Sequence, residues 1–369
     1  MADLSIEVDG LKFDNPFVIG SGPPGSNAGT INRAFKEGWG GVVCKTLSLD
    51  NSKVTNTAPR YARLRHGDDK KDKHAVYGFE NIELISDRPF EDWIDDFKRV
   101  KDTYPDKVLI CSIMEEHNKN AWQEITGKCQ DAGVDSFELN LSCPHGLPER
   151  KMGMAMGENP DIVEEVCGWV MDVAKIPVWA KMTPNVTHIV DPAASAFKAG
   201  CHGVSAINTI LSVLGIDLET LRPLPTVEGY SVPGGYSCKA VRPVALRMVM
   251  QLAKAFPDKT ISGIGGVETG TDAAQFILLG ASTVQVCTGV MLYGYRMVKD
   301  MITELGGCMD KHEFAHVKDF MGHSLEYFTT HADLVQRQKD AKAKKALEKD
   351  TDWTGDKFVE QTDQLTSND

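Results

Sequence analysis

The 369 residues carry 52 acidic and 40 basic side chains, a net charge of −12, and 42% of them are apolar. That apolar share is ample for one large core, and the acidic excess argues against a nucleic-acid surface, which needs clustered Lys and Arg. No stretch approaches the roughly 18 apolar residues of a membrane span. The opening MADLSIEVDGLKF has neither the basic nor the apolar segment of a secretory signal, so a cytoplasmic protein is expected. The nine cysteines are scattered and never spaced as CxxC, which fits reduced, buried thiols. No metal site is expected.

In chain order, short Val- and Ile-rich runs predict strands at Phe17–Gly20, Gly41–Lys45, Val108–Met114, Ser136–Ser142, Val178–Met182, Gly203–Asn208, Thr260–Gly265 and Thr283–Cys287. Helical stretches alternate with them, the pattern of a parallel sheet with crossovers. Eight such runs are the number that closes a (β/α)8 barrel of the TIM type, and this α/β class is preferred to an open doubly wound sheet. Four junctions repeat one local pattern: KEGWGGVV, QDAGVDSFEL, FKAGCHGVSA and LLGASTVQV. In each, a Gly is placed to end an amphipathic helix in the left-handed region just before a buried strand. The polar stretch 51–72 and the Pro- and Gly-bearing stretch 215–236 read as long loops over one face of the barrel. A barrel domain is expected over 1–310. Residues 311–369 are expected to form a helical extension, highly charged from about Arg337, ending in a frayed tail.

Polar residues collect at the predicted strand ends: Lys45 and Thr46, Asn140 and Ser142–Cys143, Lys181 and Thr183, Asn208 and Thr209, Gly265–Gly266, and Cys287–Thr288. In a (β/α)8 barrel these ends converge on one face, where active sites sit. A Lys in an apolar strand such as VWAKM is costly to bury without an anionic or polar partner. SGIGGVETG follows a strand and opens a helix, which turns backbone N–H groups toward an anion. With QVCTG after the next strand, it reads as a phosphate cradle built by the last two βα loops. The most distinctive stretch is ELNLSCPHGLPERKMGMAMGENP, residues 138–160. There Asn140 offers both a donor and an acceptor. Cys143 opens a Pro- and Gly-bearing loop and is weighted toward chemistry over packing, whereas His145 is read as a surface residue.

NLSCPHG, AKMTPNVT, AINT, SGIGGVET and NIELIS resemble the motifs of the flavin-bearing domain of dihydropyrimidine dehydrogenases, within the class 1 dihydroorotate dehydrogenase family. DKVLICSIM, GYSCKAVRP and MLYGYRMVKDM are similar to the pyrimidine-reducing subunit of the bacterial two-subunit enzymes. The similarity spans about Leu4 to Lys299. It implies a (β/α)8 barrel binding FMN at its C-terminal face and a redox reaction at the C5–C6 bond of uracil and thymine. It also implies FMN contacts from Ser21, Lys45, Thr46, Lys181, Gly265, Gly266, Cys287 and Thr288. Asn81, Asn140, Asn208 and Thr209 would hold the pyrimidine, and Cys143 would be the general acid. A small planar substrate follows, with a partner flavoprotein or ferredoxin-type electron donor in a homo- or hetero-oligomer. Three departures accompany the resemblance. No CxxCxxC cluster is present, Cys238 stands where the phosphate loop would carry Gly, and residues 51–76 do not map onto the substrate loop. Dihydroorotate or another conjugated cyclic substrate is the rival within the family, although no cation or N–H cluster for a substrate carboxylate stands out. A non-catalytic flavin subunit of a redox complex is the rival outside it.

Overall fold

The computed structural model describes residues 2–67, 71–143 and 153–347. Pro144, His145 and the tail beyond Leu347 lie outside the described residues. Eight parallel strands close a barrel in sequence order: β1 (Phe17–Ile19), β2 (Gly41–Val43), β3 (Val108–Ile113), β4 (Ser136–Asn140), β5 (Val178–Lys181), β6 (Gly203–Ala206), β7 (Thr260–Ile264) and β8 (Thr283–Val286). Each falls inside its predicted run and is shorter at the C-terminal end, because those last residues leave the ladder to line the active face. The strands read as continuous apolar runs because they are covered on both sides, by barrel interior and by helices. The four junction glycines, Gly38, Gly133, Gly200 and Gly280, all take positive φ, between 91° and 111°. That left-handed turn ends each helix and lets the following strand start within a few residues.

Crossover helices such as Ala28–Glu37, Pro160–Met171 and Arg242–Ala255 turn one apolar stripe to the barrel. Trp39, Trp93, Trp122 and Trp179 are among the largest fully buried side chains. A hairpin absent from the sequence reading, Ile6–Val8 with Leu11–Phe13, carries Asp9 at its turn. The Asp9 carboxylate accepts hydrogen bonds from Trp179 Nε1 (2.7 Å) on β5 and Thr260 Oγ1 (3.0 Å) at the start of β7. The hairpin is thereby pinned at the N-terminal end of the barrel.

The stretches 51–72 and 215–236 are not simple loops. Tyr61–Arg65, Val76–Asn81, Gly234–Ser237 and Ile210–Ser212 form a four-stranded antiparallel sheet, and Gly215–Asp217 pairs with Arg222–Leu224 in a separate hairpin. The sheet is a canopy whose residues join those of the barrel's C-terminal ends around one cavity. The compact unit that holds barrel and canopy runs through Leu325. A second unit begins at Glu326 and contains the helix His331–Leu347, with a largely exposed surface over its described side chains. Among the described residues, no helix is long and apolar enough to cross a membrane.

Candidate active site

The cavity has a volume of about 1140 Å3 including its open mouth. The thirteen residues expected to contact cofactor or substrate or to carry the proton all line it. Ser21, Lys45, Thr46, Asn81, Asn140, Cys143, Lys181, Asn208, Thr209, Gly265, Gly266, Cys287 and Thr288 are all brought together. Twelve come from the active face of the barrel, and Asn81 comes from the canopy strand Val76–Asn81.

One corner is a chain of hydroxyls and carboxamides. Thr46 Oγ1 lies 3.1 Å from Ser21 Oγ, 2.8 Å from Ser112 Oγ and 2.9 Å from Asn140 Nδ2, which donates to it. Asn208 Nδ2 donates to Ser142 Oγ at 2.9 Å, and Asn208 Oδ1 accepts from the Thr209 N–H at 2.8 Å. Asn81 Nδ2 donates across the canopy to the Gly235 carbonyl at 3.2 Å. A Cβ on Gly235 would fall 2.2 Å from Thr209 Oγ1, so glycine is required for Asn81 and Thr209 to come this close. The side chains are held in place, yet each carboxamide keeps unused donor or acceptor capacity. Cys143 is buried and packs with Ile85, Met114 and Val54, and its carbonyl accepts from the Met154 N–H at 3.0 Å. The thiol thus sits just past the end of β4, against Ile85 in the segment that follows the canopy strand Val76–Asn81.

Two lysines reach the cavity, each with a carboxylate that sequence reasoning missed. Lys181 Nζ is 3.0 Å from Glu138 Oε1 and 3.4 Å from Gln285 Oε1, while Gln285 Nε2 donates to Glu138 Oε2 at 2.7 Å. Lys181, Glu138 and Gln285 close a ring across β5, β4 and β8, and all three are buried. A signal for Glu138 did exist, since an acid in the apolar run FEL needs a partner as much as the Lys in VWAKM does. Lys45 Nζ is 3.1 Å from Glu83 Oε2 and donates to the Leu84 carbonyl at 3.2 Å. Arg60 Nη1 meets Glu83 Oε1 at 3.0 Å, and the Tyr61 hydroxyl donates to Glu83 Oε2 at 2.6 Å. Burial and this bond to Glu83 push the Tyr61 hydroxyl well above the ordinary phenol range. Glu83 lies in the NIELIS motif, in the segment between the canopy strand Val76–Asn81 and the helix Phe90–Thr103, but nothing local marks it as the partner of Lys45.

At the other end, Gly265 and Gly266 take φ of 142° and 73°, and a Cβ on Gly266 would fall 2.7 Å from the Cys238 carbonyl. Only glycine fits both the backbone conformation and the space there. Thr288 opens the helix Thr288–Tyr293, and its Oγ1 lies 2.9 Å from Ser237 Oγ. Cys238 itself has φ of 79°, in the left-handed region that favours the Gly expected at that position. Burial pushes its thiol up to about 12. Glu268, also unanticipated, lines this end and accepts from the Tyr293 hydroxyl at 3.2 Å. Cys287 lines the cavity, and burial pushes its thiol up to about 11 against the pull of Lys181 and Lys45. A Cβ on Gly22 would fall 2.5 Å from its Sγ, so this wall is closed tightly.

The cavity therefore combines a glycine-lined turn, two restrained cations, a set of carboxamides and a thiol at one barrel face. A family model described as dihydroorotate dehydrogenase matches residues 3–309. The chain is 58% identical over 376 residues to the chloroplastic dihydropyrimidine dehydrogenase (NADP(+)) of Arabidopsis thaliana, covering 99% of this chain and 88% of that protein. It is 42% identical over 323 residues to the NAD-dependent dihydropyrimidine dehydrogenase subunit PreA of Escherichia coli strain K12, covering 87% and 76%. Among solved structures, a DHODH from Eimeria tenella in complex with ferulenol superimposes with a TM-score of 0.72 at 22% identity, over 87% of this chain and 88% of that one. The last is a likeness of fold; the sequence matches establish that this chain belongs to the dihydroorotate dehydrogenase family.

Proposed function

We propose that this chain is an FMN-dependent oxidoreductase that interconverts uracil or thymine and the 5,6-dihydro forms, with Cys143 as the proton donor and acceptor. Its family relatives support an oxidoreductase acting on CH–CH bonds and a flavin as its cofactor. The observation that carries the substrate reading is the carboxamide set itself. Asn81, Asn140 and Asn208, with Thr209, meet in one cavity beside a buried thiol, and a flat cyclic diamide offers them alternating acceptors and donors.

The residues present fit FMN. The Gly265–Gly266 turn has the open backbone that a phosphate requires, and Thr288 adds a hydroxyl beside it. Ser21, Thr46 and Cys287 would flank the flavin ring system, and Lys45 and Lys181 would each offer it an N–H. When bound, FMN supplies hydride exchange with C6 of the pyrimidine. The carboxamides orient the ring so that C5 faces the Cys143 Sγ, which gives its proton to C5 in reduction and takes it back in oxidation. Lys181, restrained by Glu138 and Gln285, presents a fixed positive charge where negative charge accumulates. Electrons would come from a partner subunit or other donor protein, and the enzyme would work in a soluble compartment such as the cytoplasm.

Anaerobic addition of dihydrouracil to the FMN-loaded protein tests this reading. Bleaching of the flavin absorbance by dihydrouracil in preference to dihydroorotate is expected. Bleaching by dihydroorotate alone, or by neither, would refute it.

A further inference from the structure

Both lysines that line the cavity are already engaged. Lys181 is held by Glu138 and Gln285, and Lys45 by Glu83 and the Leu84 carbonyl. Glu83 also lines the cavity, and its carboxylate takes three donors. Oε2 accepts from Lys45 and Tyr61, while Oε1 accepts from Arg60, a residue that does not line the cavity and keeps 35% of its side-chain surface in solvent. Lys45 and Glu83 retain only 12% and 9% of theirs, so their charges are poorly screened from anything bound beside them. An ammonium has three N–H groups, so two engaged by Glu83 and Leu84 leave one for the cavity. That one suits a carbonyl oxygen. It does not offer a ring carboxylate an unneutralised cation, and an approaching carboxylate would meet Glu83 as a like charge. Among the described residues, no other Lys or Arg lines the cavity.

We infer that Glu83 is a specificity-determining residue that reserves the site for uncharged pyrimidine rings and rejects rings bearing a carboxylate. It does so by pairing with Lys45, so that a ring carboxylate meets the Glu83 oxygens and an ion pair in place of a free ammonium. The inference rests on the pyrimidine reading above and adds how one substrate class within the family is separated from the other. Discrimination of this kind works through a repulsive element as much as through an attractive one.

The test is titration of the FMN-loaded protein with uracil and with orotate, followed by calorimetry and by the change in flavin absorbance. Wild type is expected to prefer uracil. Glu83→Gln, nearly isosteric, is expected to narrow that preference by about tenfold or more, the scale of one poorly screened charge contact. Its main effect should be tighter orotate binding, with uracil binding little changed. Glu83→Asp should keep the wild-type preference. Glu83→Gln combined with Lys45→Met should restore it, because the freed cation is gone. If Glu83→Gln keeps the wild-type ratio, or weakens both ligands in parallel, the inference is overturned while the pyrimidine reading stands. A wild-type protein that prefers orotate, or binds neither ring, overturns both.

Discussion

The barrel floor and the canopy wall each hold one lysine toward the same cavity, and they do it by different means. On the floor, Lys181, Glu138 and Gln285 project from three strands of the barrel, and Gln285 Nε2 also lies 3.1 Å from both Ser205 Oγ and Ser262 Oγ. The network is buried and built on the most regular part of the fold. At the wall, Lys45 follows β2, but its partner Glu83 lies beyond a canopy strand and shares its charge with a half-exposed Arg60. Removing one side of a buried ion pair is costly where the charge left behind has no other cation, and less so where, as for Glu83, a second cation and a hydroxyl remain. The floor therefore fixes a charge as part of the fold's stability, and the wall holds one that can be retuned.

The sharpest break of this contrast is Lys181→Met, which leaves the Glu138 carboxylate buried without its cation. It should cost the apoprotein about 3–5 kcal/mol in urea unfolding, and pairing it with Glu138→Gln should recover most of that. An unchanged midpoint would mean that the floor network carries no such charge. Next comes Cys143→Ala, just past the end of β4. Turnover should fall by at least roughly 10²-fold while the flavin content of the purified protein stays the same. Near-normal steady-state rates would remove the thiol from the proton transfer. Lys45→Met should cost well under half as much stability as Lys181→Met, since Glu83 keeps Arg60 and Tyr61. A loss as large as that of Lys181→Met would erase the distinction between the regions.

The mildest probe is alkylation of Cys287 in the apoprotein, read peptide by peptide by mass spectrometry. The thiolate is the reactive form, and burial holds this thiol up to about 11. Its rate should rise about tenfold per pH unit between roughly pH 7 and pH 10. A plateau reached by about pH 9 would show a thiol close to its ordinary value.

Much of the barrel was legible because its signals are local. Val108–Ile113 and Ser136–Asn140 are runs buried on both faces, and the junction glycines mark each helix end within a few residues of the next strand. The canopy was not legible. Its strands are three to six residues long, and Val76–Asn81 finds one partner in Gly234–Ser237, more than 150 residues away. Short strands that pair at such range leave no periodic signature and read as loops. Asn81 was assigned to the site through motif resemblance, and its place beside Thr209 depends on that distant pairing and on Gly235 having no side chain.

The sequence by itself determined the eight barrel strands, the glycine turns at 265 and 266, and which polar types would gather at the strand ends, because alternation, capping and burial act over a few residues. Tertiary structure alone decided which carboxylate each lysine would meet. Glu138 is 43 positions from Lys181 and Glu83 is 38 from Lys45, yet both pairs close to about 3 Å. Charge pairing acts through space and depends on how dry the meeting place is, so it was fixed only when the barrel closed and the canopy folded beside it.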